Sequence, residues 1–106
     1  MAETEEGRKF EKIALDYLKQ NNLPEAESNF IQALTHMKQS GDEEGQAYVL
    51  GNLGNLCFQS RRLDKAQEYY GKALTYMEKV NDIRGIESSL GNLGSVLFYK
   101  GSLDEA

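Results

Sequence analysis

Few side chains in this 106-residue chain are of the kinds that do covalent or metal chemistry. There is one cysteine, Cys57, and one histidine, His36. A zinc site takes about four Cys, His or carboxylate ligands at set spacings. His36 has no second histidine and no neighbouring cysteine to join it. A thiol nucleophile needs a base to take its proton, and none stands at a recognisable spacing from Cys57. Serines and aspartates are plentiful, yet no nucleophile elbow, phosphate loop or paired-carboxylate arrangement appears. No enzyme activity, metal or cofactor is therefore expected.

What recurs instead is amide chemistry on a glycine background. Gly51-Asn52-Leu53-Gly54-Asn55 returns forty residues later as Gly91-Asn92-Leu93-Gly94-Ser95. A primary amide both donates and accepts hydrogen bonds, the complement of a peptide bond. A glycine beside it leaves room for a second backbone to approach. In a helix interior, however, glycine costs roughly 1 kcal/mol against alanine. Both copies need a reason to sit in a helix.

An internal repeat supplies the elements around them. With residues 11–50 written above 51–90 and 91–106, Leu23, Leu63 and Leu103 share a column, as do Ala26, Ala66 and Ala106. Ala33-Leu34-Thr35 stands over Ala73-Leu74-Thr75, Met37 over Met77, Asp42 over Asp82 and Gly45 over Gly85. The third copy matches the second in eight of sixteen columns. The period of forty is in the range that marks a solenoid.

Within each unit two helical stripes appear. Leu50, Leu53, Gly54 and Cys57 fall on one arc, and Leu63, Ala66, Tyr70, Ala73, Leu74 and Met77 on another. Turn residues cluster at Asn21-Asn22, Ser40-Gly41-Asp42, Arg61-Arg62, Asn81-Asp82 and Gly101-Ser102. Asp42 and Asp82 suit N-cap positions, and Pro24 suits a first helical turn. The spacing predicts helices over 4–20, 23–39, 43–60, 63–80 and 83–100, with a sixth starting at Leu103.

Leu50-x-x-Leu53-Gly54-x-x-Cys57 followed by Ala66, Tyr70 and Ala73 resembles the signature of the tetratricopeptide repeat (TPR) family. Phe10, Ile13, Ala14, Tyr17, Ala26, Phe30 and Ala33 match it in the first unit, and Leu90, Leu93, Gly94, Leu97 and Ala106 in the third. The usual period is 34 residues, and the proline that often closes the second helix is replaced by Lys38 and Glu78. Forty-residue units opening on Gly-Asn-Leu-Gly resemble the long arrays of Pins-type adaptors and of bacterial multi-TPR proteins. The resemblance implies an all-α, right-handed solenoid of antiparallel helix hairpins, about two and a half repeats in one domain spanning 1–106. Its units run about 7–46, 47–86 and, in part, 87–106, as in a fragment of a longer array.

On that resemblance the two glycines of each motif have separate tasks. Gly54 and Gly94 belong to the stripe where paired helices press together, with Ala14 in the same column. Gly51 and Gly91 belong to the opposite arc, which in this family lines a concave groove. Tyr48, Asn52, Asn55 and Phe58 accompany Gly51 there, and Ser88, Asn92, Ser95 and Tyr99 accompany Gly91. The implied function is non-enzymatic: a scaffold that binds an extended peptide segment of a partner protein. The side chains of Asn55 and Asn92 are expected to be free of contacts within the solenoid. A chaperone-type carboxylate clamp is not indicated, because of Glu11, Leu15, Asn52, Ser88 and Asn92 only Asn52 matches its pattern. The alternative is self-association, a homodimer through the C-terminal end, where Leu90, Leu93, Leu97 and Val96 would point at a missing partner helix.

Composition is consistent with this reading. The chain is 40% hydrophobic and 27% charged, with a single proline, as expected of a soluble folded helical domain. Its net charge of −5 and lack of a basic patch argue against a nucleic-acid partner. No apolar run approaches the roughly 20 residues of a membrane span, and the acidic Glu3–Glu6 start does not resemble a secretory leader. One unpaired cysteine fits a reducing cytoplasm.

Overall fold

In the computed structural model, residues 5–105 are described and form five helices: α1 (Glu5–Lys19), α2 (Leu23–Ser40), α3 (Glu43–Gln59), α4 (Leu63–Lys79) and α5 (Ile83–Glu105). No strand occurs among them. Readings that fell on residues 1–4 and on Ala106 lie outside this range. Each helix packs on its neighbours in the chain, most closely α1 on α2 and α3 on α4. Two- or three-residue connections make those neighbours antiparallel. The result is an elongated body of 49 × 31 × 19 Å.

Four turns of one design join the helices. A residue in the left-handed region follows each of α1–α4: Asn21 (φ 58°), Gly41 (φ 74°), Arg61 (φ 64°) and Asn81 (φ 58°). The next amide then reaches back to the last turn: Asn22 to Tyr17, Asp42 to Met37, Arg62 to Cys57 and Asp82 to Met77, at 2.8–2.9 Å. Carbonyls that would otherwise be orphaned are thereby satisfied. The chain reverses every twenty residues, half the sequence period.

The N-terminal ends of α3 and α5 carry the predicted caps. Asp42 accepts a hydrogen bond from the amide of Gly45 at 2.9 Å, and Asp82 from that of Gly85 at 3.0 Å. A Cβ on Gly45 would lie 2.5 Å from Asp42 Oδ2 and 2.9 Å from Met37 Sδ. One on Gly85 would meet Met77 Sδ and Asp82 Oδ2. The repeated Met, Asp and Gly columns are therefore a single device, in which glycine makes room for the methionine of the preceding helix beneath a capped turn.

Ala26, Phe30, Ala33 and Met37 of α2 pack with Ala14, Val49, Leu53 and Leu56 in the main core. Cys57, Ala66, Tyr70 and Val96 form a second cluster between α3, α4 and α5. Helix α3 is covered on two sides, which is why eight of its residues are buried. Full burial of a large aliphatic side chain contributes about 1.5–3 kcal/mol, so α3 anchors the stack.

Two expectations are corrected at the C-terminal end. Helix α5 runs through Gly101 and Ser102 to Glu105 instead of turning at 101. Extending a helix adds one backbone hydrogen bond for each residue fixed. Val96 is fully buried against α3 and α4, not directed outward, and Leu93 is half-buried beside it. Gly94, in the column of Gly54, has nothing within 4 Å of the position its Cβ would take. No described helix stands opposite it.

Candidate functional site

The glycine-asparagine motifs meet across the cleft between α3 and α5. Tyr48, Gly51, Asn52 and Asn55 from α3 and Ser88 and Asn92 from α5 line one cavity of about 340 Å³, with Asp82, Arg84 and Ser89 completing its polar wall. Tyr48, Asn52 and Asn55 lie three to four residues apart, as do Ser88 and Asn92, so each set shares a helix face. Gly51 has nothing within 4 Å of its absent side chain, and the cavity floor there is bare backbone.

Two hydrogen bonds shape this wall. Tyr48 donates to Asp82 Oδ2 at 3.4 Å, spanning from α3 to the N-cap of α5. Its phenol pKa is raised, first by the negative charge of Asp82. The hydroxyl of Tyr70 donates to Asn55 Oδ1 at 2.5 Å. Burial raises Tyr70 from the ordinary 10.0 to about 12, so it remains a donor at neutral pH. The expectation that Asn55 stands free of the scaffold is thus corrected. Its oxygen is engaged by Tyr70 while the residue lines the cleft. Nothing in a helical wheel reveals this, because the bond depends on how the Tyr70 ring lies over Gly54.

The remaining predicted residues are distributed differently. Phe58 and Tyr99 pack edge to face at 5.5 Å and line a second cavity of about 500 Å³ with Gln59, Arg61, Leu63 and Ser102. Gly91 and Ser95 are exposed and line neither of these two cavities. Gly51 faces α5, but no described helix faces Gly91 in the same way. Arg84 and Asp82 were missed as cleft residues, although both immediately precede the helix that carries Ser88 and Asn92 or begin it.

The one cysteine and the one histidine are both taken up in packing. Cys57 is fully buried, and burial pushes its thiol pKa up, away from the reactive thiolate. The His36 ring stacks on Phe10 at 5.4 Å. No three His, Cys, Asp or Glu side chains come together to hold a metal ion. No helix is long and apolar enough to cross a membrane.

Paired antiparallel helices, repeating buried Ala-aromatic-Ala columns and identical turns define a helical-repeat protein. The family model for the tetratricopeptide repeat matches residues 5–79. The chain belongs to the tetratricopeptide repeat family. Repeats of this family generally mediate protein–protein interaction. A search of curated proteins finds no match to the chain.

Proposed function

We propose that the cleft between α3 and α5 binds an extended segment of a partner protein, with Asn52 and Asn92 pairing to its backbone. The observation that carries this reading is their convergence, with Gly51 and Ser88, on one open cavity of about 340 Å³. A carboxamide presents a donor and an acceptor together, so two amides about one cavity hold a peptide unit in a fixed direction. Gly51 gives the guest backbone access, and Asn55 adds donors whose orientation Tyr70 fixes. Asp82 and Arg84 supply opposite charges at one end. The fully buried free thiol of Cys57 suits the reducing cytoplasm, where the binding would take place.

The test is selection of binders from a random-peptide display library, followed by titration against Asn52→Ala/Asn92→Ala. Weakening by about tenfold or more, at unchanged melting temperature, is expected from the loss of two hydrogen bonds to the bound segment. Unchanged affinity would remove the cleft from the binding surface.

A second reading has its own observation. Leu90 and Leu97 are each 54% exposed on α5, with the open Gly94 between them. Such a strip suits self-association of the chain at this end. Sedimentation across a concentration series tests it: Leu97→Lys should abolish any dimer and leave peptide binding intact.

A further inference from the structure

The second cavity lies at the far end of the same cleft and differs in chemistry from the first. Phe58, Leu63 and Tyr99 form its apolar walls, and Gln59, Arg61 and Ser102 stand around them. At about 500 Å³ it is large enough to take an aromatic or long aliphatic side chain.

Arg61 is the informative residue. The four interhelical turns need a left-handed residue at the same place, and three of them use Asn21, Gly41 and Asn81. Glycine and asparagine adopt that conformation most readily, whereas other residues do so at a cost. Only the turn beside the apolar cavity uses a long cationic side chain, Arg61 at φ 64°. The turn itself makes no use of that side chain. Backbone amides of Ser60, Arg61 and Arg62 already satisfy the last carbonyls of α3.

Neighbouring cations are all engaged. Arg62 forms a two-pronged pair with Glu27 at 2.9 and 3.1 Å, Lys65 pairs with Glu68 at 3.7 Å, and Lys100 pairs with Asp64 at 2.7 Å. Among the described residues the Arg61 guanidinium has no such partner. A long cationic side chain that its own turn does not use, on a residue held in the left-handed region at a cost, leaves an unpaired charge at the rim of an apolar pocket and points to a ligand.

We propose that this cavity seats a bulky apolar side chain of the bound segment while Arg61 pairs with a carboxylate one or two residues away from it. The inference rests on the peptide-binding reading above and adds the chemistry of the partner: an Asp or Glu beside an aromatic or large aliphatic residue. A guanidinium presents parallel N–H groups that match both oxygens of a carboxylate. The chain's net charge of −5 does not oppose this. Charges farther than about 8–10 Å are screened at physiological salt, so the nearby arginine dominates.

The experiment takes peptides selected from a random display library on the intact chain. Selected sequences should be enriched in Phe, Tyr, Leu or Met within two residues of Asp or Glu. One such peptide, and a version with its carboxylate replaced by carboxamide, are then titrated against the wild type and Arg61→Asn. Asparagine keeps the left-handed turn, so the variant should melt no lower than the wild type. Loss of either the peptide carboxylate or Arg61 should weaken binding about tenfold, and loss of both should weaken it no further. The proposal is overturned if Arg61→Asn binds both peptides as the wild type does while Asn52→Ala still weakens them; the cleft reading would then survive alone. If no peptide is selected at all, both readings fall.

Discussion

The Tyr70 hydroxyl hands its hydrogen bond to Asn55 Oδ1 across the contact between α4 and α3, at 2.5 Å. One residue before Asn55, the missing side chain of Gly54 is what lets the Tyr70 ring lie there. A core tyrosine thus reaches through the stack and sets the orientation of a cleft amide.

Tyr70→Phe should cost about 1 kcal/mol of stability in urea denaturation, the net value of one such hydrogen bond. It should also let the Asn55 amide turn, which a change in its side-chain NH2 resonances would report. Unaltered resonances would mean that the bond does not orient Asn55. The tyrosine's raised pKa has a further consequence for the wild type. Its contribution is complete below pH 10.0 and declines as pH rises toward about 12, because the unfolded phenol ionises first. Tyr70→Phe should remove that part of the alkaline loss.

Glycines three residues apart should respond in opposite ways. A Cβ on Gly54 would lie 2.6 Å from Cδ1 and Cε1 of Tyr70, whereas one on Gly51 meets nothing within 4 Å. Gly54→Ala should destabilise by about 1–3 kcal/mol. Gly51→Ala should stabilise by about 0.5–1 kcal/mol while narrowing the cleft. Calorimetric melting of the two variants decides, and equal shifts would contradict the packing at Gly54.

Arg61→Gly should raise stability by about 1 kcal/mol, since it removes the Cβ that makes the left-handed conformation costly without removing an ion pair. The same substitution at Arg62 should lower stability, because Arg62 holds Glu27 at 2.9 Å. Chemical denaturation midpoints compare the two, and a fall for Arg61→Gly would rule out strain at that turn.

Cys57 should resist thiol reagents in the folded chain. It is fully buried, and burial raises its pKa above the ordinary 9.0. Labelling should proceed only as fast as the α3–α4–α5 contact opens, and denaturant should release it. Rapid stoichiometric labelling of the native protein would show that the second core cluster is open.

Much of this arrangement was legible in the sequence, for reasons that also mark the limits. Columns such as Ala26/Ala66 and Met37/Met77 repeat because the same helix pair is built twice, so helix limits for α2–α4 fell within one residue of the observed ends. Gly45 and Gly85 repeat equally well, but their purpose needs three residues from two helices in view at once. Arg61 falls in a predicted turn, but its left-handed backbone was not legible, since arginine has no preference for that conformation and only its position in the four-turn series exposes it. Gly94 shows that periodicity assigns a place within a unit and not the presence of a neighbour. Asn55 does line the cleft, yet a wheel records direction and not the hydroxyl that meets it from α4.

The turns that recur at residues 21, 41, 61 and 81 have a consequence for the pathway by which the chain folds. Each is closed by a bond across five residues, and each helix then meets the one just before it. Contacts of such short sequence separation lower the loop-closure entropy of the folding barrier, so folding should be fast for a chain of this length. Order can begin at any hairpin and spread by nearest-neighbour docking. Helix α3, covered on both sides, should be the last to release its amide protons to solvent, and α5, with Leu90, Leu97 and Phe98 uncovered, the first of α3–α5. The molecule would then come apart from its edge inward, one helix at a time, with the cleft between α3 and α5 lost before the core beneath it.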